Sequence, residues 1–293
     1  MLQIIISPAK QMSINAEAFA PRGIPPFPVK TRQLLVALRA LEREQGATGL
    51  KELWRVNDKL LAENIERLHA IEPVMSDIEL EDPLVARSVG PAVFSYVGIQ
   101  YRSMAPDVLD LDALEWLQRH LWVLSGFYGC ARPFDAVTPY RLEMGARLAV
   151  GDARNLYEFW DANLAKAIED AAQEAEDRLE CDAAGEEGEL TIRETVCVIN
   201  LASLEYAKAV LPHLDAQTQT ITCLFGEELR NGKPVQRATA SKIARGSMVR
   251  WMAEHGVEDP HELERFDVGY ALAPELSMLD RSARNRTLVF MKR

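Results

Sequence analysis

Short runs of consecutive apolar residues alternate along this chain with stretches whose apolar positions recur every three or four residues. Gln3–Ser7, Val93–Ile99, Leu121–Ser125, Thr195–Asn200, Gln219–Phe225 and Thr287–Lys292 are of the first kind, and they predict buried strands. Lys30–Gln45 (with Leu34, Leu35, Leu38 and Leu41), Asp58–Ile71, Asp112–His120, Asn155–Leu179 and Ala240–His255 are of the second kind, and they predict amphipathic helices. Asp110 or Asp112 caps the third of these. A further helix after Asn200 must stop near Pro212, and a short capped one covers Asp259–Glu264. Ala20–Val29 reads as a Pro-rich loop and "RNGKP" as a turn. No repeat and no clear linker interrupts the alternation. The expected fold is mixed α/β: one domain over residues 1–293, a central sheet flanked by helices, and an acidic loop insertion at 181–194.

Composition narrows the class. The chain has 293 residues, 48% of them hydrophobic, which is enough apolar material for a sizeable core. No apolar run approaches the ~20 residues of a membrane-spanning helix, and "MLQIIISPAK" lacks the basic start of a secretory leader. A cytoplasmic protein is expected. Cys130, Cys181, Cys197 and Cys223 form no C-x-x-C pair, so free thiols are expected. Cys130 stands out because Arg132 is near, and a cation lowers a thiol's pKa. The net charge of −11 argues against indiscriminate nucleic-acid binding. The charge is uneven, however. Residues 161–194 hold an acidic block, whereas Lys242–Arg250 carries cations and no acid, so a local basic face is compatible with an acidic whole.

Candidate chemistry gathers after the predicted strands: "SPAK" after the first, "SGFYGCARP" after the Leu121 strand and "NLASLEYAK" after the Thr195 strand. Open α/β sheets bind ligands beyond the carboxyl ends of their strands, which places Lys10, Arg132 and Asn200 around a candidate cleft. No nucleotide-binding glycine pattern, no histidine pair with metal spacing and no G-x-S-x-G elbow is present, and no cofactor is expected. The segment "LSGFYGCARPFDAVTPYRLEMG" (Leu124–Gly145) is rich in Gly, Pro, Tyr and Arg, and it reads as a rigid loop lining that cleft. Within it Arg141 and Glu143 share a face only if the backbone is extended. They then form either a local ion pair or an anion-gripping guanidinium oriented by the carboxylate. "NLYEFWD" is aromatic at helical spacing and reads as core. Lys242 and Arg245 lie on one helical face near its start.

The segments "IIISPAK", "LSGFYGCARPFD", "PYRLEMG", "NLYEFW", "VINLASLEY", "KIARG" and Gly269–Tyr270 together resemble the YaaA family of bacterial proteins, over almost the whole chain. The resemblance implies a cytosolic protein of peroxide-stress survival, linked to lower free iron. It implies DNA binding through a positively charged cleft, in a mixed α/β fold called the cantaloupe fold with a helix-hairpin-helix element. The matching positions for contacts to DNA are Lys10, Arg132, Arg141, Lys208, Lys242 and Arg245. Ile243 stands where the family commonly has a lysine, and Leu204 where it commonly has an acid.

The expectation for function is therefore a peroxide-stress protein that binds distorted or damaged double-stranded DNA as a monomer. Tyr128 or Tyr140 would stack on an unpaired base. The alternative is an enzyme acting on a nucleobase or nucleotide in the same cleft, with Glu143 or Asp135 as general acid/base. Direct iron binding ranks last, because no 2-His-1-carboxylate spacing is visible.

Overall fold

Seven strands make one sheet in the order β6-β7-β5-β4-β1-β2-β3. They are β1 (Leu2–Ile6), β2 (Leu121–Ser125), β3 (Gly129–Ala131), β4 (Cys197–Leu201), β5 (Gln219–Gly226), β6 (Tyr270–Leu272) and β7 (Asn285–Lys292). The computed structural model describes residues 1–14, 19–183 (of 176–183 the backbone only) and 195–293. Strands β7, β5, β4, β1 and β2 are mutually parallel, with Ile6 in register with both Val123 and Leu201. The edges β6 and β3 run antiparallel to their neighbours. β1, β2 and β4 are buried at every position, which is why each reads as an unbroken apolar run rather than an alternation.

Helices flank the sheet, as the mixed α/β expectation requires. They include α1 (Pro28–Trp54), α2 (Asp58–Ala70), α3 (Ile99–Met104), α4 (Leu111–His120), α5 (Leu156–Trp160), α6 (Asn163–Ala183), α7 (Leu204–Ala207) and α8 (Ala238–His255). Asn57, Asp110 and Asn155 cap α2, α4 and α5, each side chain accepting a backbone N–H of the first turn. α8 packs on α3, α4 and β5.

Several sequence expectations change in detail. α1 runs on to Trp54, past a non-helical Gly46 (φ 65°). Val93–Ile99 is not a strand. It is a helical turn (Ala92–Ser95), a two-residue strand and the start of α3, because an apolar run that short fits either structure and Gly98 breaks it. The helix expected over Asn155–Leu179 is two, broken at Asp161 (φ 46°). The helix expected after Asn200 shrinks to the single turn α7. The acidic insertion expected at 181–194 lies outside the described residues from 184 on, and its first three residues end α6.

Candidate functional site at the carboxyl ends of the strands

Parallel β1, β2 and β4 bring three serines to one edge of the sheet. Ser7, following β1, accepts the Ser203 backbone N–H at 2.8 Å, and its Oγ lies 3.2 Å from Ser203 Oγ, so the segments after β1 and β4 are tied together. The Ser7 carbonyl accepts Gln100 Nε2 at 3.2 Å and the Tyr101 hydroxyl at 3.0 Å, which docks α3 on the same edge. Ser125, the last residue of β2, accepts the N–H groups of Phe127 (3.1 Å) and Tyr128 (2.8 Å), folding the turn back on itself. Its Oγ is 2.6 Å from the Tyr140 hydroxyl, which in turn meets Tyr96 at 3.1 Å. Burial raises Tyr96, Tyr101 and Tyr140 well above the usual tyrosine pKa, so this chain of hydroxyls is uncharged.

That turn positions the 140–143 segment. A Cβ on Gly126 would stand 2.6 Å from the Leu142 carbonyl and 2.9 Å from the Glu143 carbonyl carbon, so only glycine lets the two backbones approach. The segment is irregular and non-helical, and it places Arg141 and Glu143 together. Arg141 Nη2 lies 3.3 Å from Glu143 Oε1, and Lys10 Nζ lies 4.0 Å from the same oxygen. Arg141 Nη1 donates to the Lys10 carbonyl at 3.3 Å. The Arg141 side chain is only 11% exposed, and its Nε is buried without a hydrogen-bond partner among the described residues. Lys10, 66% exposed, stands at the mouth. Pro8, Ala9, Lys10, Tyr140, Arg141 and Glu143 border a depression of about 20 Å³, with Leu142 and Tyr206 completing its wall. That is room for one water-sized oxygen.

The other expected contact residues have the following surroundings. Lys208 is exposed one turn after Leu204, its Nζ 4.8 Å from the centre of the Tyr157 ring, whose hydroxyl donates to the Glu205 carbonyl. Lys242 is exposed on α8. Arg245 is half-buried on the same helix, and its Nε has no partner among the described residues. Burial lowers its pKa, and the nearby ionisable group is the Cys223 thiol rather than an acid. Asn200 is buried: it caps the turn after β4 by accepting the Ala202 N–H at 3.0 Å and donates to Thr222 Oγ1 at 3.3 Å.

Arg132 and Asp135 lie elsewhere. β3 runs antiparallel to β2, so the chain turns back and carries Arg132 to the amino end of the sheet, away from Lys10. There its guanidinium stacks on Trp122, 3.9 Å from the ring centre, and donates to the carbonyls of Arg119 (2.7 Å) and Gln118 (3.3 Å). It thereby satisfies the last turn of α4. Asp135 is 6% exposed and accepts the Arg132 N–H at 2.7 Å. Burial raises its pKa to about 7 against the opposing pull of that bond and of the Arg132 charge. Tyr128 and Tyr140 are buried edge to face, 5.4 Å apart, and Tyr140 also stacks on Phe127 at 5.1 Å, so protein already covers their rings. The Tyr128 hydroxyl accepts the Thr138 N–H at 3.0 Å. Cys130 is fully buried, and burial raises its thiol far above the usual range despite Arg132. Cys130 is a free, buried thiol, and the nearby Arg132 does not activate it.

Three contributors escaped the sequence reading. Tyr206 walls the depression, Glu205 accepts the Gly145 N–H at 2.8 Å, and Gln100–Tyr101 holds Ser7. Only the position of "LEY" directly after a strand could have flagged the first two. A groove of about 1060 Å³ lies along α1, lined by Val36, Leu41, Leu148 and Phe159 among others. It shares no residue with the strand-end group, and its charged lining is limited to Arg32, Glu44 and Arg147. The convergent polar groups lie at the strand ends.

A family model described as peroxide stress protein YaaA matches residues 2–276. Relatives include the UPF0246 protein of Lachnoclostridium phytofermentans, 39% identical over 266 residues (91% of this chain, 89% of the relative). The UPF0246 protein of Pediococcus pentosaceus is 36% identical over 292 residues (99% and 98%). That of Lactiplantibacillus plantarum is 39% identical over 266 residues (91% of each chain). With the seven ordered motifs and this coverage, the chain belongs to the peroxide stress protein YaaA family.

Proposed function

We propose that this member of the peroxide stress family binds DNA, and that a distorted or damaged duplex lays its phosphate backbone across the strand-end edge of the sheet. Lys10 and Arg141 are the central contacts, with Lys208, and Lys242 and Arg245 on α8, as further contacts. One observation carries the reading: two cations converge on a single carboxylate oxygen beside an oxygen-sized depression, with one Arg141 donor unbonded among the described residues. A guanidinium with a free N–H and a lysine at the mouth suit a phosphate oxygen.

Size favours the DNA reading over the nucleobase enzyme. A flipped base needs an enclosed pocket, and ligand pockets run to roughly 300 Å³ or more. The strand-end depression holds about 20 Å³, and Asp135, which does not line it, is only 6% exposed. Phosphate contacts carry no sequence information, so selectivity in this reading is for shape. Protection against peroxide then has two arms, cover at distorted DNA and a smaller pool of free iron, and only the first is assigned to residues.

The test is binding of a fluorescent bubbled duplex against a plain duplex across a salt series. The bubble is expected to bind tighter. The double variant Lys10→Ala, Arg141→Ala should lower the salt slope by about 2 and weaken binding at low salt at least about tenfold. Undiminished binding by that variant overturns the assignment.

A further inference from the structure

A two-stranded hairpin leaves the same edge of the sheet. β5 ends at Gly226, and Glu228–Arg230 then pairs antiparallel with Lys233–Val235 before the chain enters α8. β5 is parallel to β1 and two strands from it, so the hairpin starts about 10 Å along the edge that carries Ser7 and Lys10. Its turn is two residues, Asn231 (φ 52°) and Gly232 (φ 73°), and left-handed backbone at both matches the twist of a hairpin. The base is fixed. The Glu227 N–H donates to the Val235 carbonyl at 3.0 Å, and a Cβ on Gly226 would stand 2.7 Å from Pro234 Cβ. The rest is bare, and every residue from Glu228 to Lys233 is exposed.

The register sets Arg230 directly opposite Lys233. Opposed residues share a face, with Cα atoms about 5 Å apart, and like charges at such a pair are destabilising. The acids at the base are engaged elsewhere or shared. Glu227 is held by Lys292 at 2.8 Å and by Arg237 at 3.1 Å. Glu228 lies 3.5 Å from Arg237 and 3.7 Å from Arg230. Lys233 has no acidic partner among the described residues. In a chain of net charge −11, this tip holds two cations against each other in solvent. We infer that the hairpin is a second anion contact, a pincer in which Arg230 and Lys233 hold one phosphate of a nucleic-acid backbone between them. The inference rests on the DNA-binding reading of the strand-end edge. A phosphodiester placed between the two cations cancels their repulsion, so binding relieves a strain that the free hairpin carries. Guanidinium and ammonium groups both suit phosphate oxygens. One phosphate neutralised adds about one to the salt slope.

The experiment uses the full chain, with two readouts: binding of a fluorescein-labelled bubbled duplex across a salt series, and thermal melting of the free protein. Lys233→Glu sets opposite charges across the turn, so the free protein should melt at or above the wild-type temperature. The same variant should bind the duplex about five- to tenfold more weakly at low salt, with a slope shallower by about one. Arg230→Gln combined with Lys233→Gln should also weaken binding, by about three- to tenfold, without lowering the melting temperature. Lys59→Glu makes the same charge change on an exposed residue of α2, and its affinity should stay within about twofold of the wild type. A Lys233→Glu protein that binds like the wild type, or is weakened no more than Lys59→Glu, overturns the pincer. An acidic protein partner on the hairpin would give that result. Melting below the wild type in both hairpin variants also overturns it, since the cations would then serve the hairpin's own fold. In these cases DNA binding itself survives. Absence of binding by the wild type at low salt overturns the DNA reading, and this inference with it.

Discussion

Asp135 shows how a residue that looks catalytic in a sequence can be a structural group with its own pH signature. Its pKa is about 7 in the folded protein and near 3.8 when exposed, because burial disfavours its charge. Between those values the folded state binds the extra proton, so its contribution to stability falls as pH rises from 3.8 to about 7 and is flat above. Asp135→Asn keeps an oxygen for the Arg132 N–H and loses the titration. Its melting temperature relative to the wild type should therefore rise between pH 5 and pH 8, and a constant difference across that range would refute the assignment. Arg141 and Glu143 were legible as a pair, since they stand two apart on non-helical backbone. Arg132 was not, because its place depends on a reversal of the chain over Gly126–Tyr128 that reads equally as a cleft-lining loop. The same reversal buries Cys130, so its thiol should react with a maleimide only after unfolding.

Among the elements, the tightest junction is the crossing of α8 and α3. A Cβ on Gly246 would stand 2.0 Å from the Gln100 carbonyl oxygen and 3.0 Å from Met104 N. Backbone atoms cannot step aside as a flexible side chain does, so Gly246→Ala must push the helices apart. A loss of about 1–3 kcal/mol in urea unfolding is expected, as for other overpacked interiors. Gln100 also holds the Ser7 carbonyl, so DNA binding should fall with stability. Full wild-type stability in this variant would refute the packing argument. The long helices were visible because their apolar positions recur at helical spacing, as with Leu34, Leu35 and Leu38 in α1. The breaks at Gly46 and Asp161 were not, because a single left-handed residue leaves the periodicity on either side intact. The Val93–Ile99 run misled because an apolar run that short suits strand and helix alike, and only Val93, Ser95 and Tyr96 in it are buried.

Over the whole molecule, a net charge of −11 sets how a basic edge can work. On the proposed DNA reading, the acidic remainder would repel DNA at long range and the contact cations would attract it within about 8 Å at physiological salt. Five exposed or partly exposed contacts, Lys10, Arg141, Lys208, Lys242 and Arg245, would give a slope of log affinity against log salt of about −4.5, which the repulsion flattens. A slope between about −2 and −4 is expected for the bubbled duplex, and one near zero or steeper than about −6 would rule out these contacts as the main ones. What the sequence determined alone is the alternation of buried strands and amphipathic helices, the family, and the gathering of polar residues just after strands. Each is written in residues close together in the chain, where hydrophobic period and turn chemistry act. Tertiary structure alone decided which strand ends are neighbours. Because β4, β1 and β2 are parallel and adjacent, residues far apart in the chain meet at Ser7, Arg141 and Tyr206, while antiparallel β3 sends Arg132 to the opposite edge. Strand order and direction follow from the packing of the whole core, to which every buried side chain contributes and which no short segment encodes.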